Sequence, residues 1–441
     1  MRIPARGRKG GNDGRSDALF SEVLPLFRMR VGVECKRMTN LPAGWQHGTL
    51  QDVVAGITTG VSVNGEDRPR GPGEVGVLKI SCVLRGRFDP THYKTVISAD
   101  RARVAAPVTG GTILVSRANT AELVGASAYV PQSVSDLFLP DKLWQLKPGK
   151  NVDVRWLSHV VADPAFRPKL ASAATGTSAS MKNISQEAFL ALPVAIPPLP
   201  EQRRIAAILG TWDAAIEKAE RLVDANAHRL TACRQRLIFQ MNYPRRELAE
   251  FADLVPDLVD PRTQDLRGIP CVELQHLDSA NGIILGHAHA SSDSSTRRVF
   301  HKGDILFGKL RPYLKKYALP DFNGICSSEI WVLRPKKSLC DPGYLFEIIQ
   351  SSQFIAAANK ATGSRMPRAD WNVVSEEPFP LPDLSTQRVI RKVLRDVAAY
   401  SNRMRDFASR IKVQKHGLMQ KLLTGKIRVP EAVADLSPAA D

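Results

Sequence analysis

At 441 residues, with 43% hydrophobic and 24% charged residues, the chain has the size of two or three domains and a composition that excludes a chain lacking a buried core. A net charge of +17 and a pI near 9.8 point to a polyanionic partner, nucleic acid first, because a basic surface gains free energy by displacing counterions from phosphates. The six cysteines (Cys35, Cys82, Cys233, Cys271, Cys326, Cys340) are widely spaced, with no C-x-x-C pair, and no run of 18 apolar residues occurs. A cytoplasmic protein with reduced structural thiols, no membrane span and no metal site is the expectation.

Residues 1–37 carry nine Lys or Arg against four Asp or Glu and no continuous apolar core of a secretory signal, so they read as a basic, disordered extension. Met38, followed by Thr39-Asn40-Leu41-Pro42, reads as a natural start. Most of the positive charge lies beyond this point, in the body of the chain.

From there the sequence repeats. At an offset of 185, Met181 meets Met366, Pro193 meets Pro378, Pro197 meets Pro382, Leu199 meets Leu384, Gln202 meets Gln387, Arg203 meets Arg388 and Ile205 meets Ile390. Upstream the offset drifts to 192, where Gly111-Thr112-Ile113-Leu114-Val115 parallels Gly303-Asp304-Ile305-Leu306-Phe307. Each half opens with short β-branched runs between turn residues, which predict strands: Val75–Val83, Thr112–Ser116 and Leu143–Leu146, then Ile269–Leu277, Asp304–Phe307 and Ile330–Leu333. A proline-rich connector follows in each half, predicted to be extended.

Beyond each connector lies a heptad pattern. Leu209, Ile216, Val223, Leu230 and Leu237 form one column of the first helix, with Ile205, Trp212, Ala219, Asn226 and Cys233 beside them. The second helix has Ile390, Val397, Met404, Ile411 and Leu418, flanked by Leu394, Ser401, Ala408, Lys415 and Leu422. Two apolar stripes of this length each need a partner, and the economical solution is that they pair with each other, antiparallel, as a spacer between two domains. Polar seam positions such as Asn226, Ser401 and Lys415 can fix register.

Catalytic motifs are sparse. The chain lacks G-x-x-x-x-G-K-[ST], H-E-x-x-H, G-x-S-x-G and the Asn-Pro-Pro-aromatic or Asp-Pro-Pro-Tyr signature of amino-methyltransferases. Asp257 with Glu273-Leu274-Gln275 loosely imitates the carboxylate pattern of metal-dependent nucleases, but the first half has no carboxylate in Val77-Leu78-Lys79-Ile80. The basic residues of the strand-rich regions are the candidate DNA contacts: Arg85, Arg87, Lys94, Arg101, Arg103 and Arg117, then Arg297, Arg298, Lys302, Lys309, Arg311, Lys315 and Lys316. Such side chains neutralise phosphates, and a subset of arginines can bond guanine bidentately.

The joints of the repeat carry a family resemblance. Thr177–Ile184 with Leu192–Ile205, the segment Lys302-Gly303-Asp304-Ile305-Leu306-Phe307-Gly308-Lys309-Leu310-Arg311-Pro312-Tyr313-Leu314, and the closing Leu418–Arg428 resemble segments of Type I restriction-modification specificity subunits. Leu384-Ser385-Thr386-Gln387-Arg388 departs from the pattern in lacking the Glu that Glu201 supplies before Gln202. The resemblance implies an α+β chain with two α/β target-recognition domains, each followed by a long helix. The expected boundaries are 38–200 and 244–383 for the domains, 201–243 and 384–428 for the helices, and 429–441 for a tail. It implies that the chain itself is non-catalytic, reads a bipartite site on double-stranded DNA, and works with two modification subunits and with restriction subunits. S-adenosylmethionine, ATP and Mg²⁺ belong to those partners, with none in this chain. The alternatives are a recognition subunit serving a fused cleavage and methylation subunit, or a chain with a cryptic nuclease site.

Overall fold

The structure, a computed structural model, describes residues 41–430 apart from 85, 121–122, 174–181, 261, 265, 290–294 and 361–365. The basic extension 1–37, Cys35, Arg85, Met181 and most of the tail therefore lie outside the described residues.

Each half is built on two sheets. A four-stranded antiparallel sheet runs in the order Val54–Thr59, Leu143–Pro148, Thr112–Ser116, Ser127–Val130 in the first half, and Ala252–Leu254, Ile330–Pro335, Ile305–Gly308, Tyr317–Ala318 in the second. The central strands are buried on both faces: all five residues of Thr112–Ser116 and all four of Ile305–Gly308. This is why they read as continuous apolar runs without alternation.

The second, five-stranded sheet contains one parallel pair in each half, Gly76–Leu78 with Val134–Phe138 and Pro270–Val272 with Gly324–Ser327. Four of its strands correspond between the halves. The fifth does not: Gly65–Glu66 adds beside Tyr93–Val96, whereas Leu258–Val259, from the same stretch of the repeat, adds beside Arg297–Phe300 at the opposite edge. The two domains thus share a frame and differ at their rims.

The long apolar runs Val75–Val83 and Ile269–Leu277 are not single strands. Each breaks, the first after Leu78 into a 3-10 turn at Ile80–Val83 and the second after Val272 into one at Leu274–His276. In the first half the turn is closed by Cys82 N–H donating to the Lys79 carbonyl, and it carries Cys82 and Val83 into the same apolar cluster as Leu78. Burial on both sides of the turn hides it from a reading based on hydrophobicity alone.

The proline connectors are extended and pair at the edges. Pro193–Ile196 lies antiparallel to Gln46–Thr49, and Pro378–Pro380 to Arg245–Glu247. From each connector springs a long helix. We label four helices: α1 (Val154–Ala162), α2 (Leu199–Arg234), α3 (Pro342–Ile349) and α4 (Leu384–Leu423). At 1.5 Å per residue α2 and α4 are roughly 54 and 60 Å long. The first long helix was expected over 201–243. The α-helix instead ends at Arg234 and passes into one π turn, Gln235–Phe239, which places Ile238 in the core of the second domain.

A glutamine starts each long helix in the same way. The buried Gln202 donates to the Pro197 carbonyl and accepts from the Asp153 N–H, both at 2.9 Å. Gln387 donates to the carbonyls of Pro382 (2.7 Å) and Leu339 (2.9 Å) and accepts from the Asp341 N–H at 2.8 Å. Asp153 and Asp341 are the N-caps of α1 and α3, so each amide locks a long helix to the short helix before it.

Gln387→Leu leaves a buried N–H and two carbonyls without partners, and should cost about 2–3 kcal/mol in urea unfolding; a loss below about 0.5 kcal/mol would contradict the role of the amide. His159 on α1 is buried, and burial, helped by the charges of Lys415 and Arg155, holds its imidazole down at about 3 from an ordinary 6.5. The unfolded chain therefore takes up a proton that the folded chain refuses between pH 6.5 and about 3. Stability from this residue is complete above pH 6.5 and falls with pH below it, by at most about 1.4 kcal/mol per unit. His159→Leu should flatten the melting temperature between pH 7 and 5, and an unchanged slope would contradict the assignment.

Candidate nucleic-acid interface

The geometry of any DNA site here is set by how the helices hold the two domains. α2 and α4 run antiparallel: Glu201 pairs with Arg428, Asp213 with Lys415 (2.5 Å) and Glu220 with Lys412 (2.6 Å). In the middle, Ala219, Ala408 and Ile411 pack with Trp212 and Ile216. Val223, Val397 and Met404 are half-buried along the same seam. At the ends the seam ceases to be a separate coil. Leu209, Leu418 and Leu422 join the core of the first domain, and Leu230, Leu237, Ile390 and Leu394 join that of the second. Of the polar seam positions, Asn226 returns its amide to the Leu222 carbonyl, Lys415 pairs with Asp213, and Ser401 keeps a buried hydroxyl without a partner.

Two ion pairs fasten the helix ends. At the first domain, buried Glu201 accepts from the Trp45 indole (2.9 Å) and from Arg428 (2.7 and 3.2 Å), tying the start of the first domain to the segment after α4. At the second, Arg234 of α2 meets Glu347 of α3 at 2.8 Å with both side chains buried. Burial pushes the Glu347 carboxyl up, and Arg234 opposes that shift. Trp45, Arg234 and Glu347 carried no signal in the sequence, because their partners are more than a hundred residues away, whereas Glu201 stood out beside the repeated Gln202.

The predicted DNA contacts divide into two classes. Several make contacts within the protein, although Arg87 and Arg103 stay more than half exposed. Arg87 pairs with Glu217 of α2 (3.1 Å), Arg103 with Asp100 (2.7 Å), and Arg117 donates to the Asp141 carbonyl (2.8 Å). Arg297 pairs with Glu273 (3.1 Å), Arg298 donates to the Val255 carbonyl (2.9 Å), and the Lys316 ammonium donates to the carbonyls of Leu274 and Leu277 (both 2.7 Å). The pairing of Glu273 with Arg297 also accounts for one carboxylate of the nuclease-like pattern. Among the described residues no three His, Cys, Asp or Glu side chains gather as a metal site.

The remaining cations face solvent. Lys94 and Arg101 are exposed on the first domain; Lys302, Arg311 and Lys315 are exposed on the second, with Lys309 half-buried beside them. The loop Lys309–Lys315 is the most built of these surfaces. Arg311 and Lys315 both adopt left-handed backbone (φ 50° and 53°), an uncommon state for residues with side chains, and bracket a 3-10 turn at Pro312–Leu314. The Arg311 N–H donates to the Pro367 carbonyl, Leu310 bridges to Arg368, and Arg368 pairs with Glu329. The exposed Arg311 and Lys315 thus flank the turn that carries Tyr313, which is 52% exposed. In the first half Ala118–Asn119 makes the corresponding contact with Lys182–Asn183, and Asn119 stands where Arg311 does. Charge of this kind on a fixed loop can engage phosphates, and Arg311 can bond a base edge.

Buried cysteines take no part. Burial pushes the thiols of Cys82, Cys326 and Cys340 up to about 12, leaving them protonated packing residues. No helix among the described residues is long and apolar enough to cross a membrane.

Comparison with known proteins agrees with this architecture. The family model for the Type I restriction modification DNA specificity domain matches twice, over residues 42–223 and 289–405, once per half. The chain is 27% identical over 156 residues to the specificity subunit of the type I restriction enzyme EcoDI of Escherichia coli, covering 35% of this chain and 34% of that one. It is 27% identical over 167 residues to the EcoEI specificity subunit of the same organism, covering 37% and 28%. The matched stretch is thus about a third of the length of these curated relatives. A chain from a solved type I R-M system, studied for complex assembly and conformational transition, shares the fold with a TM-score of 0.51 at 15% identity, over 88% of this chain and 100% of that one. With both halves matched, over more than half of its length, the chain belongs to the family of Type I restriction modification DNA specificity domains.

Proposed function

We propose that the chain is the non-catalytic DNA-recognition subunit of a cytoplasmic Type I restriction-modification system. Each α/β domain, residues 38–200 and 244–383, reads one half of a bipartite site on double-stranded DNA. The helical segments 201–243 and 384–428 set the distance between the halves. Two modification subunits and the restriction subunits dock on this frame and bring the chemistry of S-adenosylmethionine, ATP and Mg²⁺. The observation that carries the reading is the repeated unit itself: the same sheet frame occurs twice, each copy bearing solvent-facing cations, on the ends of one antiparallel helix pair.

Within that reading Arg311 and Lys315 position the second domain on phosphates, and the divergent rims of the two domains give the half-sites different sequences. The family resemblance of the joints supports the partners.

Long-read methylome sequencing of the host with and without the gene tests the function directly. Deletion should abolish adenine methylation at one split motif, and an unchanged methylome in an expressing strain would contradict the reading. Arg311→Ala with Lys315→Ala should weaken DNA binding and flatten the log–log dependence of affinity on salt by about 2, one for each lost phosphate contact. An unaltered slope would remove these residues from the interface.

A further inference from the structure

A cleft of about 290 Å³ lies where α4 meets the second domain. Arg391, Arg395, Ala398, Asn402 and Arg405 line one side, and their alternating four- and three-residue spacing sets them in one column along α4. The other walls include α3, through Gly343, Phe346 and Glu347, and the turn 280–283. Two glycines allow the walls to approach. A Cβ on Gly343 would meet the Arg391 Cδ at 2.3 Å, and one on Gly282 (φ 70°) would meet the Phe346 ring at 2.7 Å.

The polar groups of the cleft are in surplus as donors. Arg234 is matched by Glu347, and Arg391 by Asp341 at 2.9 Å. Among the described residues Arg395 reaches only Asp396, at 3.6 Å on the open surface, and Arg405 only the Asn402 side-chain oxygen, at 2.6 Å. Arg391 and Arg395, four residues apart on one helix, repel each other as like charges. Ser401 also lines the cleft; it is 1% exposed, and its hydroxyl has no hydrogen-bond partner among the described residues. A buried hydroxyl in that state calls for a partner. Leu230, Ile283 and Leu319 add apolar lining beside Phe346.

The first half has no such cleft face. The 185-residue offset carries Arg391, Arg395, Ser401, Asn402 and Arg405 onto Ala206, Gly210, Ile216, Glu217 and Glu220. Ile216 packs in the seam, Glu217 pairs with Arg87 and Arg221, and Glu220 pairs with Lys412. The helix frame therefore stands without these arginines, and their presence in one copy needs a separate cause.

We propose that this cleft binds a small phosphate-bearing molecule with an apolar portion, the class to which nucleoside monophosphates belong. Arg395, Arg405 and the Asn402 amide donate to the phosphate oxygens, the Ser401 hydroxyl gains its missing partner, and the apolar portion lies against Ile283, Leu319 and Phe346. A cleft of this volume encloses a molecule of mononucleotide size, whereas a duplex can offer it only one backbone phosphate.

Isothermal titration calorimetry of the full chain with inorganic phosphate, the nucleoside monophosphates and the matching nucleosides tests the proposal. At least one monophosphate should bind one-to-one, about tenfold or more tighter than inorganic phosphate, while its nucleoside gives no heat. Arg395→Ala with Arg405→Ala should weaken that binding by about tenfold or more, and Ser401→Ala by about threefold or more. Arg403→Ala with Arg410→Ala removes the same charge from exposed positions of α4 outside the cleft, and should leave binding unchanged. No monophosphate bound at about 1 mM, or binding indifferent to the cleft substitutions, would overturn the site. Fluorescence anisotropy with a mixed-sequence duplex separates the other source of phosphate: the two double variants should bind it equally. A loss of duplex affinity confined to Arg395→Ala with Arg405→Ala would assign the cleft to the DNA backbone and overturn the small-molecule reading.

Discussion

Each domain core is completed by the end of a helix that starts from the other half. Leu418, Met419, Leu422 and Leu423 of α4 lie in the core of the first domain, while Leu230, Cys233 and Leu237, at and beyond the end of α2, lie against that of the second. The helix pair is consequently continuous with both hydrophobic cores. Changing the distance between the domains would require withdrawing large apolar side chains from one of them, at about 1.5 to 3 kcal/mol for each leucine-sized group. The separation of the two domains is thereby as fixed as the cores themselves.

The polar contacts at the two junctions serve that same constraint with unlike chemistry. The second domain receives α2 through the buried Arg234–Glu347 pair; the first receives α4 near a neutral His159 and through Arg428 on Glu201. A lone buried charge is costly, so Glu201, Arg234 and Glu347 each depend on a partner being present. Twofold-related junctions built from different pairs distinguish the halves, as the fifth strand does at the rims of the sheets. The frame is repeated, and its details are particular to each copy.

Much of this frame was legible in the sequence because it rests on local patterns. The heptads marked α2 and α4, the 185-residue offset aligned Gln202 with Gln387, and the apolar runs at Thr112–Ser116 and Ile330–Leu333 are strands. Less legible was whatever depends on distant partners. Arg297 and Arg298 read as DNA contacts in a list of cations, but in the fold one pairs with Glu273 and the other with the Val255 carbonyl. The turn after Leu78 was hidden because residues on both sides of it are apolar and buried. The rigid loop around Tyr313 depends on left-handed backbone at Arg311 and Lys315, which their residue types do not announce.

In the proposed function the helix pair is a ruler between two independent readers. Inserting one heptad into each helix, after Asp224 in α2 and before Arg403 in α4, lengthens the pair by about 10 Å while preserving the seam on both sides. The methylated motif of a host carrying this variant is the direct measurement. Both half-site sequences should be unchanged and the gap between them wider; an altered half-site sequence, or the original gap, would contradict the ruler.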